Sequence, residues 1–287
     1  MTVALDRSLA PAPAPRSSAS EPHPAAEQLA TVVSNAWVNQ EYKHLVLACG
    51  DPATRTEPGQ FFHLLCPPSG DDAPFLRRPM SVYRVDAAAG RVEFLYKITG
   101  AGTRGIALLE PSDRFDMLGP LGIGFRLHES WRHIVVVGRG VGLATLAPLA
   151  QSAQARGIGV TAILSARRPE LLMSVDLFRA QGAVVLAVTD SEGTSGPAHV
   201  ERLLHELIAA GKAQAFFTCG SNRLMLLLQR LGHEHGIPGQ VALEQQMACG
   251  LGMCFCCVRE FRVEGAVIHR RVCWEGPVFD LQEAVSW

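Results

Sequence analysis

Charge of either sign is scarce in this chain. Lys plus Arg number 26 and Asp plus Glu 27, giving a formal net charge of −1, and charged residues make up only 18% of the whole. No molecule-wide positive field exists to gather phosphate backbones, so nucleic acid is not an expected partner. Long apolar runs are missing as well. No stretch approaches the roughly 18 nearly uncharged residues that a membrane-spanning helix needs, so no membrane span is expected. The first 26 residues hold five Pro, seven Ala and four Ser without the apolar segment and cleavage site of a secretory signal. They read as part of a disordered tail over 1–27. A Ser/His/Asp constellation is also lacking, and none of the ten histidines is assigned a catalytic role.

What is present suits a globular protein. Hydrophobic residues are 48% of 287, enough for a sizeable core, and at about 150 residues per domain the length is a prior for about two domains. From Gln28 the chain shows short β-rich runs (TVVSNAWV, HLVLAC, QFFHLL, MSVYRV, RVEFLYKI, RFDML) separated by Gly, Pro and Asp. This pattern predicts a small antiparallel barrel or sandwich over 28–128. From His133 the runs HIVVVG, VTAILSA, AVVLAVT and AQAFFTC are almost continuously apolar, and they alternate with helix-like stretches such as LATLAPLAQSAQA and AHVERLLHELIAAG. Strands buried on both faces and separated by helices predict a parallel α/β domain over 129–240. The remainder, 241–287, is cysteine-dense and has two short β-like pieces. It is too small for much of a core, so a bound metal centre is expected to stabilise it.

Five of the eight cysteines fall within 249–273. The clustering points to metal rather than to a disulfide framework and, with no export signal, to a reducing cytoplasm. Cys49 and Cys66 lie in apolar runs and read as small buried hydrophobes. ACGLGMCFCCVRE followed by RRVCWEG places Cys249, Cys254 and Cys257 in a C-x4-C-x2-C pattern with Cys273 as a distant fourth. That is the spacing of plant-type [2Fe-2S] ligation. Gly250 and Gly252 allow the loop to curl around a cluster and to offer it amide N–H groups. Zinc held by four cysteines is the alternative, although it more often shows paired C-x2-C knuckles. Either Cys256 or Cys257 is available for the third position, and the spacing favours Cys257, leaving Cys256 a free thiol.

HIVVVGRGVGLATLAPLA reads as a strand, then Gly138, Gly140 and Gly142, then a helix. Such a turn lets the backbone approach a pyrophosphate, though short glycine turns also serve plain strand–helix connections.

RRPMSV, LYKITGAGT, LGPLGIGF, the glycine loop, TCG and LEQQMACGLGMC occur in an order that resembles the ferredoxin-reductase-like family. More narrowly, they resemble the iron–sulfur electron-transfer subunits (K subunits) of class 1B dihydroorotate dehydrogenases. The resemblance runs from about Gln28 to the C-terminus. It implies a flavin-binding barrel, a nicotinamide-binding α/β domain and a C-terminal [2Fe-2S] module, with FAD, the cluster and NAD as cofactors; NADP stays open. By the family's motifs, Arg78, Pro79, Met80 and Ser81 would contact FAD, Tyr96, Lys97 and Ile98 would lie beside its ribose and isoalloxazine, and Gly102 and Thr103 would serve its pyrophosphate. Gly138, Gly140, Gly142, Cys219 and Gly220 would line the nicotinamide site, and TDSEGTSGPAHV resembles the family's Thr-Asp loop. Two departures stand out: Arg139 replaces the usual second glycine and Thr145 the usual proline. Arg167 and Arg168 follow the strand where ribose is discriminated.

The implied partner is an FMN-containing dihydroorotate dehydrogenase catalytic subunit in a heterotetramer, and the implied role is electron transfer to NAD. The rivals are the reductase subunit of a sulfite reductase, a hydrogenase diaphorase or an oxygenase, and a non-catalytic metal-stabilised redox sensor.

Overall fold

The structure is a computed structural model and describes residues 25–286. Most of the expected tail therefore lies outside the described residues, and the first strand already begins at Ala26. Seven strands form the first sheet: β1 (Ala26–Trp37), β2 (Tyr42–Ala48), β3 (Phe61–Leu64), β4 (Arg78–Ser81), β5 (Arg84–Asp86), β6 (Arg91–Lys97) and β7 (Arg114–Leu121), with a short helix α1 (Ala101–Ala107) after β6. Every neighbouring pair is antiparallel, in the order β4-β3-β7-β1-β2-β6-β5.

The two edge strands, β4 and β5, are consecutive in the chain and separated only by Val82 and Tyr83. The Val82 amide donates to the Gln60 carbonyl at 3.2 Å and the Tyr83 amide to the Glu93 carbonyl at 2.8 Å. One dipeptide thus stitches both edges, and the sheet curls on itself into a half-barrel. MSVYRV, expected as a single strand, is split for this reason: it must leave one edge and join the other. Inside the curl, alternate residues of each strand (Leu45, Leu47, Phe62, Leu64, Phe94, Tyr96, Phe115 and Met117) form the core.

The α/β domain consists of β8 (His133–Arg139), α2 (Gly142–Ala155), β9 (Gly159–Ala166), α3 (Val175–Ala180), β10 (Val184–Thr189), α4 (Pro197–Ala209), β11 (Phe216–Cys219), α5 (Asn222–His235) and β12 (Gly239–Ala242). Its strands run parallel in the order β10-β9-β8-β11-β12. Ile134 and Val136 face one hydrophobic cluster and Val135 and Val137 the other, which is why β8 reads as an unbroken apolar run. The chain steps outward from β8 to β10 and then returns to the other side of β8 with β11. The strand order therefore reverses between β8 and β11, and ligands of open α/β sheets bind at such a switch point.

After β12 come a hairpin of β13 (Val258–Val263) and β14 (Ala266–Arg271), a single-turn helix α6 (Val272–Glu275) and β15 (Val278–Asp280). Here the structure joins the C-terminal segment to the α/β domain. β12 straddles the expected boundary at 240, and β15 adds antiparallel to β12 as the sixth strand of the α/β sheet. The C-terminal segment, too small to build much of a core by itself, shares one, because Phe261, Val272, Phe279 and Leu281 belong to the same cluster as Leu228 and Leu231 of α5.

Barrel and α/β domain meet through Tyr42, Leu95, Ala144 and Met173, all buried. They also meet through Glu41, which binds Lys97 Nζ at 2.7 Å and Arg167 Nη2 at 2.5 Å. The hydrogen bond from Lys97, followed by the charges of Lys97 and Arg167, holds the Glu41 carboxyl below the usual carboxylate range. A depressed pKa gives stability that is present above the unfolded value and lost as pH falls through the folded one. Glu41→Gln should therefore lower the melting temperature at pH 7 by the equivalent of about 1 kcal/mol or less, since the pair is partly exposed. The difference from the parent should vanish below the carboxylate range, as thermal melts across pH would show. Among the described residues no helix is long and apolar enough to cross a membrane.

Candidate functional site

β4 lies at the edge of the half-barrel, and all four of its residues are half-buried. Arg78 donates to the backbone carbonyls of Leu76 (2.5 Å) and Arg77 (3.4 Å), and among the described residues no carboxylate pairs with it. A half-buried guanidinium without an acidic partner suits an anionic ligand. Its side chain crosses Gly102 closely: a Cβ there would stand 2.8 Å from Arg78 Cγ. Thr103 Oγ1 accepts from the Gly100 amide at 3.1 Å and the Thr99 amide at 2.9 Å, fixing the start of α1. Its hydroxyl is thereby engaged within the chain.

Of the three residues expected beside the flavin, Lys97 is tied to Glu41 and Ile98 packs against the barrel core. Tyr96 is buried inside the curl, where its hydroxyl donates to Asn35 Oδ1 at 2.9 Å. Its phenol holds the barrel together, so only its backbone can face a cofactor. Gly105 went unremarked in the sequence although no side chain fits there: a Cβ would lie 1.9 Å from the Pro67 carbonyl oxygen. That contact joins residues far apart in the chain, and no local signal announces it.

At the switch point, Gly142 begins α2 directly against the end of β11. A Cβ on Gly142 would sit 2.6 Å from both the carbonyl carbon and the oxygen of Cys219, and one on Gly220 would sit 2.3 Å from the Arg139 oxygen. The loops after β8 and β11 therefore touch backbone to backbone. α2 has neither a capping side chain nor an acidic residue in its first turn; its Leu143 and Ala144 amides donate to the Gly140 and Val141 carbonyls at 3.2 and 2.9 Å, and the positive end of its dipole is left without an anionic partner in the first turn. Cys219 is buried and hydrogen-bonded to the Thr145 hydroxyl, and burial, with the nearby Glu244 carboxylate, pushes its thiol far above the usual range. Thr145, at the family's proline position, thus anchors Cys219.

Arg139, the other departure, does not enter the glycine loop. Its guanidinium reaches sideways across β9, donating to Ser165 Oγ at 2.8 Å and to both Asp190 oxygens at 3.1 and 2.6 Å. Asp190 also accepts from the Ser195 hydroxyl, and the two contacts hold its carboxyl below the usual range. Arg139 is a lateral strut for the loop after β10. Arg139→Ala should cost about 1 kcal/mol, the upper range for a partly exposed pair, and lower the melting temperature by a few degrees. NADH affinity measured by flavin reduction should change less than about tenfold. Arg167 is occupied by Glu41, while Arg168 shares a cleft of about 480 Å³ with Asn39, Gln40 and Glu170.

In the cysteine loop the four expected thiols fall into two neighbouring pairs, Cys249 with Cys254 and Cys257 with Cys273. Among the described residues no three His, Cys, Asp or Glu side chains converge on a single-ion position. The C-x4-C-x2-C spacing with a distant fourth cysteine is that of plant-type [2Fe-2S] ligation, in which each iron takes two thiolates. Backbone amides point at the sulfurs: Leu251 N at 3.4 Å from Cys249 Sγ, Gly252 N at 3.2 Å from Cys273 Sγ, and Cys273 N at 3.4 Å from Cys257 Sγ. Burial alone would raise the Cys249 thiol, but amides of Leu251, Cys254 and Met253 and the Cys254 side chain bring it down to about 7. Cys273, buried beside Cys257, is pushed up to about 12. Cys257 is 1% exposed and faces Cys273, whereas Cys256 is exposed to solvent.

The loop's backbone is equally specialised. Gly250 has φ +69°, and a Cβ on it would lie 3.0 Å from Cδ2 and Nε2 of His63, on β3 of the barrel. The cysteine loop thus rests directly on the half-barrel next to β4. His63 is a residue that sequence reasoning passed over.

A flavin-type edge strand, a glycine loop at the switch point and paired thiols against the barrel together define a ferredoxin-reductase-like electron-transfer protein. The comparisons agree. A family model described as the iron–sulfur cluster binding domain of dihydroorotate dehydrogenase B matches residues 244–285. The dihydroorotate dehydrogenase B (NAD(+)) electron transfer subunit of Desulforamulus reducens is 32% identical over 82% of this chain and 89% of its own length. The corresponding subunit of Geobacillus sp. is 32% identical over 89% of this chain and 97% of its own. The solved NADH-dependent reduced ferredoxin-NADP oxidoreductase superposes with a TM-score of 0.74 at 26% identity, covering 89% of each chain. The Amycolatopsis cytochrome P450 reductase GcoB shares the fold, with a TM-score of 0.59 at 21% identity over 75% of this chain and 68% of its own. The chain belongs to the family of dihydroorotate dehydrogenase B electron transfer subunits.

Proposed function

We propose that the chain carries electrons between an FMN-containing, dihydroorotate-oxidising catalytic subunit and NAD, as the electron-transfer half of a heterotetramer serving pyrimidine biosynthesis in the cytoplasm. The observation that carries this reading is the seating of the cysteine loop on the half-barrel, Gly250 against His63, which sets the cluster-binding residues beside the flavin-binding strand. When bound, FAD exchanges a hydride with nicotinamide and single electrons with the [2Fe-2S] centre.

The chain's residues divide the work of holding these groups. Arg78 offers its unpaired charge to the flavin's phosphates, and Pro79, Met80 and Ser81 line its edge of the half-barrel. The backbone at Tyr96, Lys97, Ile98, Gly102 and Thr103 forms the adjoining wall. Gly138, Gly140 and Gly142 bring the N-terminus of α2 to the nicotinamide dinucleotide's pyrophosphate, with Cys219 and Gly220 forming the opposite loop. Cys249, Cys254, Cys257 and Cys273 ligate the cluster. NAD is favoured over NADP because Arg167 is taken by Glu41 and Glu170 shares the cleft of Arg168, where its carboxylate opposes a 2′-phosphate. A cytoplasmic, reducing setting is supported by the clustering of five cysteines within 249–273, which suits metal ligation rather than a disulfide framework. No acid–base residue is required for this relay.

The cluster face also presents the partner surface. Met253 is 77% and Phe255 61% exposed, flanking Cys254 on the loop. Exposed apolar side chains around a redox centre are what a docking subunit would cover. The test is a reconstitution with an FMN-containing dihydroorotate dehydrogenase catalytic subunit. Dihydroorotate-dependent NAD reduction should require both chains, and Phe255→Asp should weaken their association at least about thirtyfold, the mark of an interface hot spot. Failure of the two chains to associate or to couple oxidation to NAD would sink the pyrimidine assignment in favour of another redox partner.

A further inference from the structure

Tyr42 opens β2 of the barrel, yet its ring belongs to the junction between the domains. It packs with Leu95 of the barrel, Met173 of the α/β domain, and Val141 and Ala144 at the start of α2, and the residue is only 6% exposed. Its amide donates to Asn39 Oδ1 at 3.1 Å and its carbonyl accepts from the Val38 amide at 2.9 Å, so the backbone that carries it is fixed. A tyrosine enclosed in this way ordinarily finds a partner for its hydroxyl. Among the described residues this one has none.

The hydroxyl ends at the glycine loop. Gly140 has φ +58°, a conformation that favours glycine, and a Cβ there would stand 3.7 Å from Tyr42 Oη. Among the described residues no other atom beyond the adjoining residues of the loop comes within 4 Å of that point. The tip of the phenol, not its face, therefore meets the loop across open space. On the other side of that loop lies the positive end of α2, whose first turn holds no acidic residue. Lys97, Arg167 and Arg139 act on the phenol, but each is paired, the first two with Glu41 and the third with Asp190. An anion on the loop would thus find its unpaired donor in the hydroxyl and not in these cations. Burial, ahead of the neighbouring charges, holds the phenol above its usual range, so it stays protonated and able to donate.

We propose that Tyr42 donates a hydrogen bond from its hydroxyl to the diphosphate of the nicotinamide dinucleotide on the glycine loop. The barrel then supplies part of a site otherwise built by the α/β domain, and the bound dinucleotide bridges the two. The inference rests on the nicotinamide reading above and adds to it a binding residue from the other domain. A phenol bonded to an ionised phosphate makes a charge-assisted contact, and losing one lowers affinity about tenfold or more.

The experiment uses the full chain with its flavin and cluster, and ADP-ribose as the probe, because it carries the diphosphate without the nicotinamide. Calorimetry should give Tyr42→Phe a dissociation constant for ADP-ribose about tenfold above that of the unsubstituted protein, at an unchanged melting temperature. The NADH concentration that half-saturates flavin reduction should rise by the same factor while the limiting rate stays the same. N-benzyl dihydronicotinamide, a hydride donor without phosphate, should reduce both proteins equally. The chain has three tyrosines, so fluorine NMR of fluorotyrosine-labelled protein gives an independent readout. With Tyr83→Phe and Tyr96→Phe assigning the other two resonances, that of Tyr42 should shift as ADP-ribose is added. Equal ADP-ribose affinity in Tyr42→Phe and the unsubstituted protein, or a Tyr42 resonance indifferent to ADP-ribose, would overturn the proposal and leave the functional reading intact. So would an equal loss with the benzyl donor, the mark of a merely structural role. An unsubstituted protein that neither binds ADP-ribose nor is reduced by NADH would instead overturn the functional reading, and the proposal with it. Should Tyr42→Phe fail to fold, the fluorine resonance of the unsubstituted protein decides.

Discussion

Replacing Cys257 with serine should remove essentially all of the iron–sulfur absorbance of the purified protein, whereas Cys256→Ser should leave it in place. The two thiols are adjacent in sequence but not equivalent in space. Cys257 is buried, receives the Cys273 amide on its sulfur at 3.4 Å and pairs with Cys273 across the loop. Cys256 is exposed to solvent. Serine presents a harder, far less acidic oxygen where iron–sulfur chemistry requires thiolate. Loss of a supporting outer contact at a metal site typically costs 10- to 100-fold, so loss of a ligand should lower electron delivery to a partner by more than about a hundredfold. The Cys257→Ser protein should still fold, because Phe261, Val272 and Phe279 share the α/β domain's core. Its flavin should still be reduced by NADH. Absorbance spectra and iron content of the two variants check this directly.

Gly142→Ala is expected to damage the nicotinamide site most among single-methyl changes. The added carbon would stand 2.6 Å from the backbone of Cys219. Neither side can yield, since β8 and β11 are hydrogen-bonded neighbours in the centre of the sheet. Overpacking against fixed backbone costs about 1–3 kcal/mol and forces the start of α2 away from β11. Because the pyrophosphate would lie on the glycine loop at this helix N-terminus, NADH affinity should fall at least about tenfold. Flavin content and cluster absorbance should be preserved, as both sites lie elsewhere. Stopped-flow reduction of the flavin at graded NADH concentrations separates this weakened affinity from a general loss of fold.

The parts of this arrangement that repeat locally were legible in the sequence. Short β-rich runs between Gly, Pro and Asp pointed to the half-barrel strands, continuous apolar runs such as HIVVVG to the parallel sheet, and the cysteine spacing to the loop. Features that depend on distant residues were not. Glu41 and Arg167 are 126 positions apart and only the fold makes them a strut between domains. β15 looked like part of a separate module because a three-residue strand has no periodicity of its own. Arg139 stood out only as a replacement of the usual second glycine, because its partner, Asp190, is supplied from beyond β9. Tyr96 matched a flavin motif, yet strand alternation turns its ring into the core. His63 was one of ten unassigned histidines, and only its contact with Gly250 distinguishes it.

The central claim is that one chain joins nicotinamide, flavin and an iron–sulfur cluster into a single electron path. An anaerobic ultraviolet–visible titration of the purified protein with NADH tests it most directly. The account predicts flavin and iron–sulfur bands that both bleach as NADH is added. Bands that are present but do not respond, or a colourless protein that contains zinc, would contradict it.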